Sequence, residues 1–196
     1  MKREFLKRVM RAAYTAGMAR PIDLSLRSDL LDDVLEAVAR LGLGNLSLRA
    51  LARELAVSPR MLLYHFGSRD GLLDAIVAET SRRLASASGI LTGTLPDMVR
   101  DSWRWMTAPA QRGFLNVFYE VCALGARDES RRGIVASSLF SDWHAMLVSR
   151  GVPDADATLL LATVHGLLLD LVLTGEAARV ERALDVFVAR LDARKG

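Results

Sequence analysis

Between Glu54 and Asp70 the sequence holds no acid, while Arg60, His65 and Arg69 fall within the stretch and Arg49 and Arg53 shortly precede it. A guanidinium is a planar, permanently charged fork that pairs bidentately with a phosphate or with O6 and N7 of a guanine. Arg60 is the best-placed candidate for reading a guanine edge; Arg49 can reach a base or the backbone, and Arg69 a flanking phosphate. Ser47 and Ser58 each precede an apolar helical pattern, so their hydroxyls and the N–H groups behind them suit phosphate oxygens. Met61 can pack on a thymine methyl group. Tyr64 suits a phosphate or a base. His65 is open to two readings, a structural imidazole at a helix end or a phosphate contact. In isolation, Arg49 and Arg60 could equally be solvated surface charges.

Other chemistry is sparsely represented. Cys122 is the single cysteine, which excludes an internal disulfide framework and a Cys-rich zinc site. His144 and His165 with Asp142 lack tight ligand spacing, so neither a metal nor a cofactor is expected. There is no H-E-x-x-H, no glycine-rich phosphate loop and no nucleophile–base pair, which argues against an enzyme.

The elements that must position these groups are helical. Leu30, Leu31, Val34, Leu35, Val38 and Leu41 form an amphipathic stripe over 29–41 that stops at Gly42 and Gly44. Ser47 can cap a second helix, 48–55, with Leu46 and Leu51 as a hydrophobic staple. After a very short turn, Ser58 can cap a third helix whose first residue, Pro59, needs no N–H there. Val57 and Leu62 repeat the staple, and that helix ends near Phe66 and Gly67. Ser68 caps a long fourth helix carrying Leu72, Leu73, Ile76, Val77 and Leu84. Two short helices joined by a tight turn, with a third crossing before them, make a helix-turn-helix. Ala52 must then be small where the helices cross.

Beyond it the pattern predicts helices over 95–107, 110–126, 129–149, 154–174 and 177–193. Val180, Leu184, Phe187 and Leu191 have the spacing of a bundle seam. The stretch 158–175 is the most apolar, but with His165 and Asp170 inside it a helix buried in a subunit interface is expected rather than a membrane span. Three parts follow: a basic arm (1–28), the helix-turn-helix domain (29–80) and a larger helical domain (81–196). The arm holds most of the excess charge, with a net of +5 over residues 1–27, against −3 over 28–80 and +1 over 81–196. A basic arm suits nucleic acid or an anionic membrane surface. No apolar signal core is evident, and a cytoplasmic location is expected.

The string LSLRALARELAVSPRMLLYHFGSRDGLL at 46–73 resembles the TetR family of transcriptional regulators. Leu48, Leu51, Ala52, Leu55, Val57, Ser58, Leu62, His65, Phe66, Ser68, Arg69 and Leu72 fit the family's L-x-x-[IL]-A-x-x-[AL]-x-V-S-x-x-x-[LI]-[YF]-x-H-F-x-[SN]-[KR]-x-x-L signature. Two positions depart from it: Leu63 stands where an aromatic is usual, the aromatic having moved to Tyr64, and Arg69 stands for the usual Lys. The resemblance implies an all-α fold, an N-terminal helix-turn-helix followed by an effector-binding and dimerisation domain. It implies a repressor that binds a palindromic double-stranded operator as a homodimer, paired through 154–174 and 177–193, and leaves it on binding a small-molecule effector. It also implies an effector pocket among the helices of 95–174, where Trp103, Phe118, Trp143 and His165 are the candidates. Asp170 beside His165 would either orient a polar ligand or hold a hydrogen bond within the bundle. Two other readings stay open: a helical enzyme or carrier using the pocket alone, and an interaction module that keeps the fold without DNA binding.

Overall fold

The computed structural model describes residues 24–44, 46–87 and 92–193. Most of the arm expected over 1–28 lies outside the described residues. Periodicity of the apolar residues sets the architecture: among the described residues there are ten α-helices and no strand, an all-α fold as expected.

Helix α1 (Leu24–Leu41) buries Leu30, Leu31, Val34, Leu35 and Val38 and stops at Gly42, whose φ of +77° favours glycine. It already includes residues 24–28, ahead of the start expected at Asp29, and Arg27 in that stretch docks on the helix-turn-helix. Its Nε donates to the His65 carbonyl (3.1 Å), and its guanidinium lies 5.2 Å from the centre of the Phe66 ring.

Helices α2 (Leu48–Glu54) and α3 (Pro59–Phe66) form the predicted hairpin. Ser47 Oγ accepts from the Ala50 N–H at 3.1 Å and Ser58 Oγ from the Met61 N–H at 3.2 Å, so both expected caps are present. Pro59 opens α3 as predicted. Helix α4 (Arg69–Ala87) is capped in the same way by Ser68, which accepts from the Gly71 N–H at 2.9 Å. This helix runs unbroken across the boundary expected at 80/81.

The remaining helices are α5 (Leu95–Thr107), α6 (Arg112–Arg127) after a 3-10 turn at Pro109–Gln111, α7 (Glu129–Ala136), α8 (Asp142–Ser149), α9 (Asp154–Thr174) and α10 (Ala177–Ala193). The single helix expected over 129–149 is interrupted by a π-helical turn at Ser137–Ser141. There Ser138 Oγ lies 2.7 Å from the Ile134 carbonyl and 2.7 Å from Ser81 Oγ on α4, a competing set of bonds that accompanies the widened turn.

One buried apolar cluster runs from Leu30 through the helix-turn-helix into α10, so the two halves share a core. Polar ties reinforce the junction. Glu120 on α6 accepts from the Leu43 N–H in the α1–α2 loop. Arg131 on α7, almost wholly buried, spans Asp74 (2.8 Å) and Asp70 (3.3 Å) on α4 and also pairs with Asp128. Helix α9 is apolar and long enough, by length and composition alone, to cross a membrane. Here it packs Ala157, Leu160, Val164 and Leu168 into the bundle.

Candidate nucleic-acid interface

Helix α3 is amphipathic about the hairpin axis. Leu62, His65 and Phe66 point into the core, while Pro59, Arg60, Leu63 and Tyr64 are exposed on the other side, and Met61 sits half-buried between them. Positions 60, 63, 64 and 67 are spaced as one helical face, so the outward face starts with a guanidinium and continues through apolar and phenolic surface. Tyr64 is 49% exposed, whereas His65 is only 6% exposed. Of the two readings of His65, the geometry favours the structural one. Its ring meets Tyr64 edge-on with centroids 5.1 Å apart, and its carbonyl holds Arg27.

Ser47 and Arg49 are exposed at the start of α2, on the helix before the turn. Arg69 is exposed at the start of α4, and its Nε donates to the Leu46 carbonyl at 3.1 Å, tying α4 to the loop before α2. Ser58 and Arg60 open α3 directly after the turn. The structure therefore places Arg49, Arg60, Tyr64 and Arg69 around the hairpin at accessible positions. Arg27, Glu120 and Arg131, which fix how this hairpin sits on the rest of the molecule, went unmarked in the sequence because isolated charges in helical patterns read as solvated surface.

In the helical half a narrow apolar cavity of about 60 Å³ opens between α5, α8 and α9, with Leu84 of α4 at its wall. Trp143 and His165 line it, alongside Met98, Ser102, Met106 and Met146. Trp103 and Phe118 do not line it; Phe118 is fully buried and backs the His165 ring, centroids 5.5 Å apart. Phe140, from the π-helical turn, meets the same ring edge-on at 5.0 Å. Burial pulls the His165 imidazole down to a pKa of about 4, so it is neutral at physiological pH. Its Nδ1 is buried without a hydrogen-bond partner. Asp170 turns away from this cavity and pairs as a fork with Arg179 on α10 (2.6 and 2.8 Å). Among the described residues no group of three or more His, Cys, Asp or Glu is arranged to hold a metal ion.

A short hairpin with an exposed, arginine-led second helix, seated on a larger helical bundle, has the geometry of a helix-turn-helix. Residues 30–76 match the family described as bacterial regulatory proteins, tetR family. The matched stretch takes in the helix-turn-helix where the signature residues lie, and the described helices share their fold with solved regulators, a TetR-family member among them. A transcriptional regulator from Rhodococcus sp. Rha1 is 23% identical, with a TM-score of 0.71 over 84% of this chain and 94% of its own. A TetR-family member from Streptomyces coelicolor A3 is 24% identical, with a TM-score of 0.70 over 84% of this chain and 96% of its own. The multidrug binding protein EbrR, complexed with proflavin, is 25% identical, with a TM-score of 0.61 over 84% of this chain and 98% of its own. No curated protein matches the chain.

Proposed function

We propose that the protein is a cytoplasmic, homodimeric repressor that holds a palindromic operator through α3 and releases it when a small molecule enters the helical domain. The observation that carries the reading is the outward face of α3, where Arg60, Leu63 and Tyr64 are exposed on a helix whose opposite face is locked in the core. Arg60 sits one residue inside the helix start, where a recognition helix meets base edges, and would pair with a guanine. Arg49, Ser47, Ser58 and the terminal N–H groups of Arg69 would hold phosphates, and Tyr64 a phosphate or a base. Pro59 and the accessible part of Met61 would pack beside them. His65 supports the helix end from within.

Two further observations favour dimerisation and effector control. Leu159, Leu169, Val172 and Leu173 stay exposed on α9, a face that suits an identical helix. The apolar cavity lies beside α4, the helix that carries the hairpin's position, so occupying it can bias that position if the ligand prefers one geometry.

The test is selection of the purified protein on random duplex DNA at a fixed salt concentration. An enriched palindrome is expected, with Arg60→Ala losing about 10- to 100-fold in affinity and relaxing the base choice at one position. A folded protein that enriches no sequence at low salt, or an Arg60→Ala variant with unchanged preference, would sink the reading.

A further inference from the structure

We propose that Arg131 is a releasable latch between the helical domain and the DNA-reading hairpin α2–α3. It grips the hairpin's exit through Asp70 and Asp74, and it keeps a carboxylate of its own, Asp128, when that grip opens. The inference rests on the effector-released reading above and names the contact on which that release would act.

The hairpin is held at both of its ends by one bracket, α6 with α7. At the entry, Glu120 on α6 accepts from the Leu43 N–H. At the exit, Arg131 on α7 donates to the Asp74 carboxylate at 2.8 Å and to both the carboxylate and the backbone carbonyl of Asp70 at 3.3 Å. The two arms of the bracket pack too closely to slide freely, since a Cβ at Gly125 on α6 would lie 2.7 Å from the Val135 Cβ on α7. Asp70 is followed by Gly71, where a Cβ would meet the Phe66 carbonyl oxygen at 2.2 Å. The first turn of α4 is thus in tight contact with the end of α3, and a shift at Arg131 reaches the recognition helix over a short, close-packed path.

Helix α6 also touches the wall of the apolar cavity. Phe118 backs the His165 ring, and the Tyr119 hydroxyl donates to the His165 carbonyl at 2.6 Å, both on the turn that carries Glu120. An occupant that displaced α9 would therefore act on the bracket before it acted on the hairpin.

The way the charges are shared makes this contact a latch rather than a fixed tie. Breaking a buried ion pair is costly mainly because one charge is left behind without a partner. Arg131 is almost wholly buried, but Asp128, the residue that caps its own helix, pairs with it whatever α4 does. The side chains of Asp70 and Asp74 are 73% and 62% exposed, so on release they return to water at little cost. Neither side is stranded, and a modest difference in ligand affinity between the two geometries is enough to open the grip.

Hydrogen exchange of the full chain, read by mass spectrometry, tests the latch without DNA. The double variant Asp70→Asn with Asp74→Asn removes the grip at two exposed positions and leaves Arg131 paired with Asp128. Asp128→Asn keeps a capping side chain on α7 and leaves the grip intact. In the double variant, amides of α2 and α3 should exchange about three- to tenfold faster, while those of α9 and α10 keep their wild-type rates. In Asp128→Asn the hairpin should exchange no faster than in the wild type. A merely structural ion cluster would respond to the loss of any of its acids, so equal acceleration in both variants, or none in the double variant, would overturn the inference. Operator selection on the same proteins reads the consequence: the wild type should enrich palindromes of one half-site spacing, and the double variant a wider set. Spacing is the readout because removing two acids beside Arg69 strengthens phosphate contacts whatever the geometry. The same single spacing in both proteins would also overturn the latch. A wild type that enriches no DNA would instead sink the repressor reading, and the exchange rates would still decide the latch.

Discussion

Burial of the His165 imidazole links a single side chain to the acid stability of the protein. Its pKa falls to about 4 from an ordinary 6.5, and the cause is desolvation of the charged form. Between those two values the unfolded chain binds a proton that the folded chain refuses, so the stability present above pH 6.5 is lost as the pH falls toward 4. Between pH 7 and pH 5 this one group should cost about 1–2 kcal/mol, a window in which carboxylates are still largely ionised. Urea unfolding of the wild type and of His165→Leu across that range checks it: the wild type should lose stability more steeply, and parallel curves would mean the imidazole is hydrated. The residue was visible in the sequence as a pocket candidate, and so was Trp143, which also lines the cavity. Trp103 and Phe118 do not line this cavity, because helical periodicity says which residues turn inward but not which inward residues border a void.

The turn between α2 and α3 has a local geometry with its own energetic signature. The Val57 N–H bonds the Ala52 carbonyl at 2.9 Å and the Ala56 N–H bonds the Arg53 carbonyl at 3.2 Å, the paired bonds of a Schellman cap. That cap puts Ala56 at a φ of +54°, where a Cβ is strained and glycine is not. Ala56→Gly should therefore stabilise the protein by about 0.5–1 kcal/mol in chemical denaturation, the relief of strain exceeding the added chain entropy; a lowered midpoint would contradict this. Gly71 presents the opposite case, since a Cβ there would lie 2.2 Å from the Phe66 carbonyl oxygen. Gly71→Ala must push α3 and α4 apart and should cost about 1–3 kcal/mol, read as an earlier unfolding midpoint. Elements such as these were legible wherever the determinant is local: caps at Ser47, Ser58 and Ser68, the proline start of α3 and the glycine stop of α1 all lie within a few residues of what they control. The docking of Arg27 on the helix-turn-helix and the π-helical turn were not, because Arg27 and His65 are 38 residues apart and Ser81 and Ser138 are 57 apart. Contacts at that separation exist only once the chain has folded.

At the level of the whole molecule, the seam at Val180, Leu184, Phe187 and Leu191 turns inward against the chain's own bundle, which leaves the outer face of α9 to any partner. Leu159, Ala162, Gly166, Leu169 and Leu173 repeat at intervals of three and four along that face, with Leu159 54% and Leu173 75% exposed. Small residues at its centre let a second helix approach closely, so the proposed dimer axis would cross α9 near Gly166. A Cβ at Gly166 would meet nothing within 4 Å in the single chain, so a larger side chain there is sterically free unless a partner covers it. Gly166→Arg should even favour the isolated helix by about 0.5–1 kcal/mol through intrinsic propensity. In a dimer closed over this stripe it would instead bury two guanidinium groups in a largely apolar interface. The expected outcome is a folded monomer by analytical ultracentrifugation, with helical content unchanged by circular dichroism and Gly166→Ala still dimeric. Operator affinity should drop by at least about 100-fold at constant salt, because each half-site is then bound without the help of the other. An arginine variant that sediments as a dimer would remove α9 from the interface and direct the search to other exposed apolar positions, Ile134 and Val148 among them.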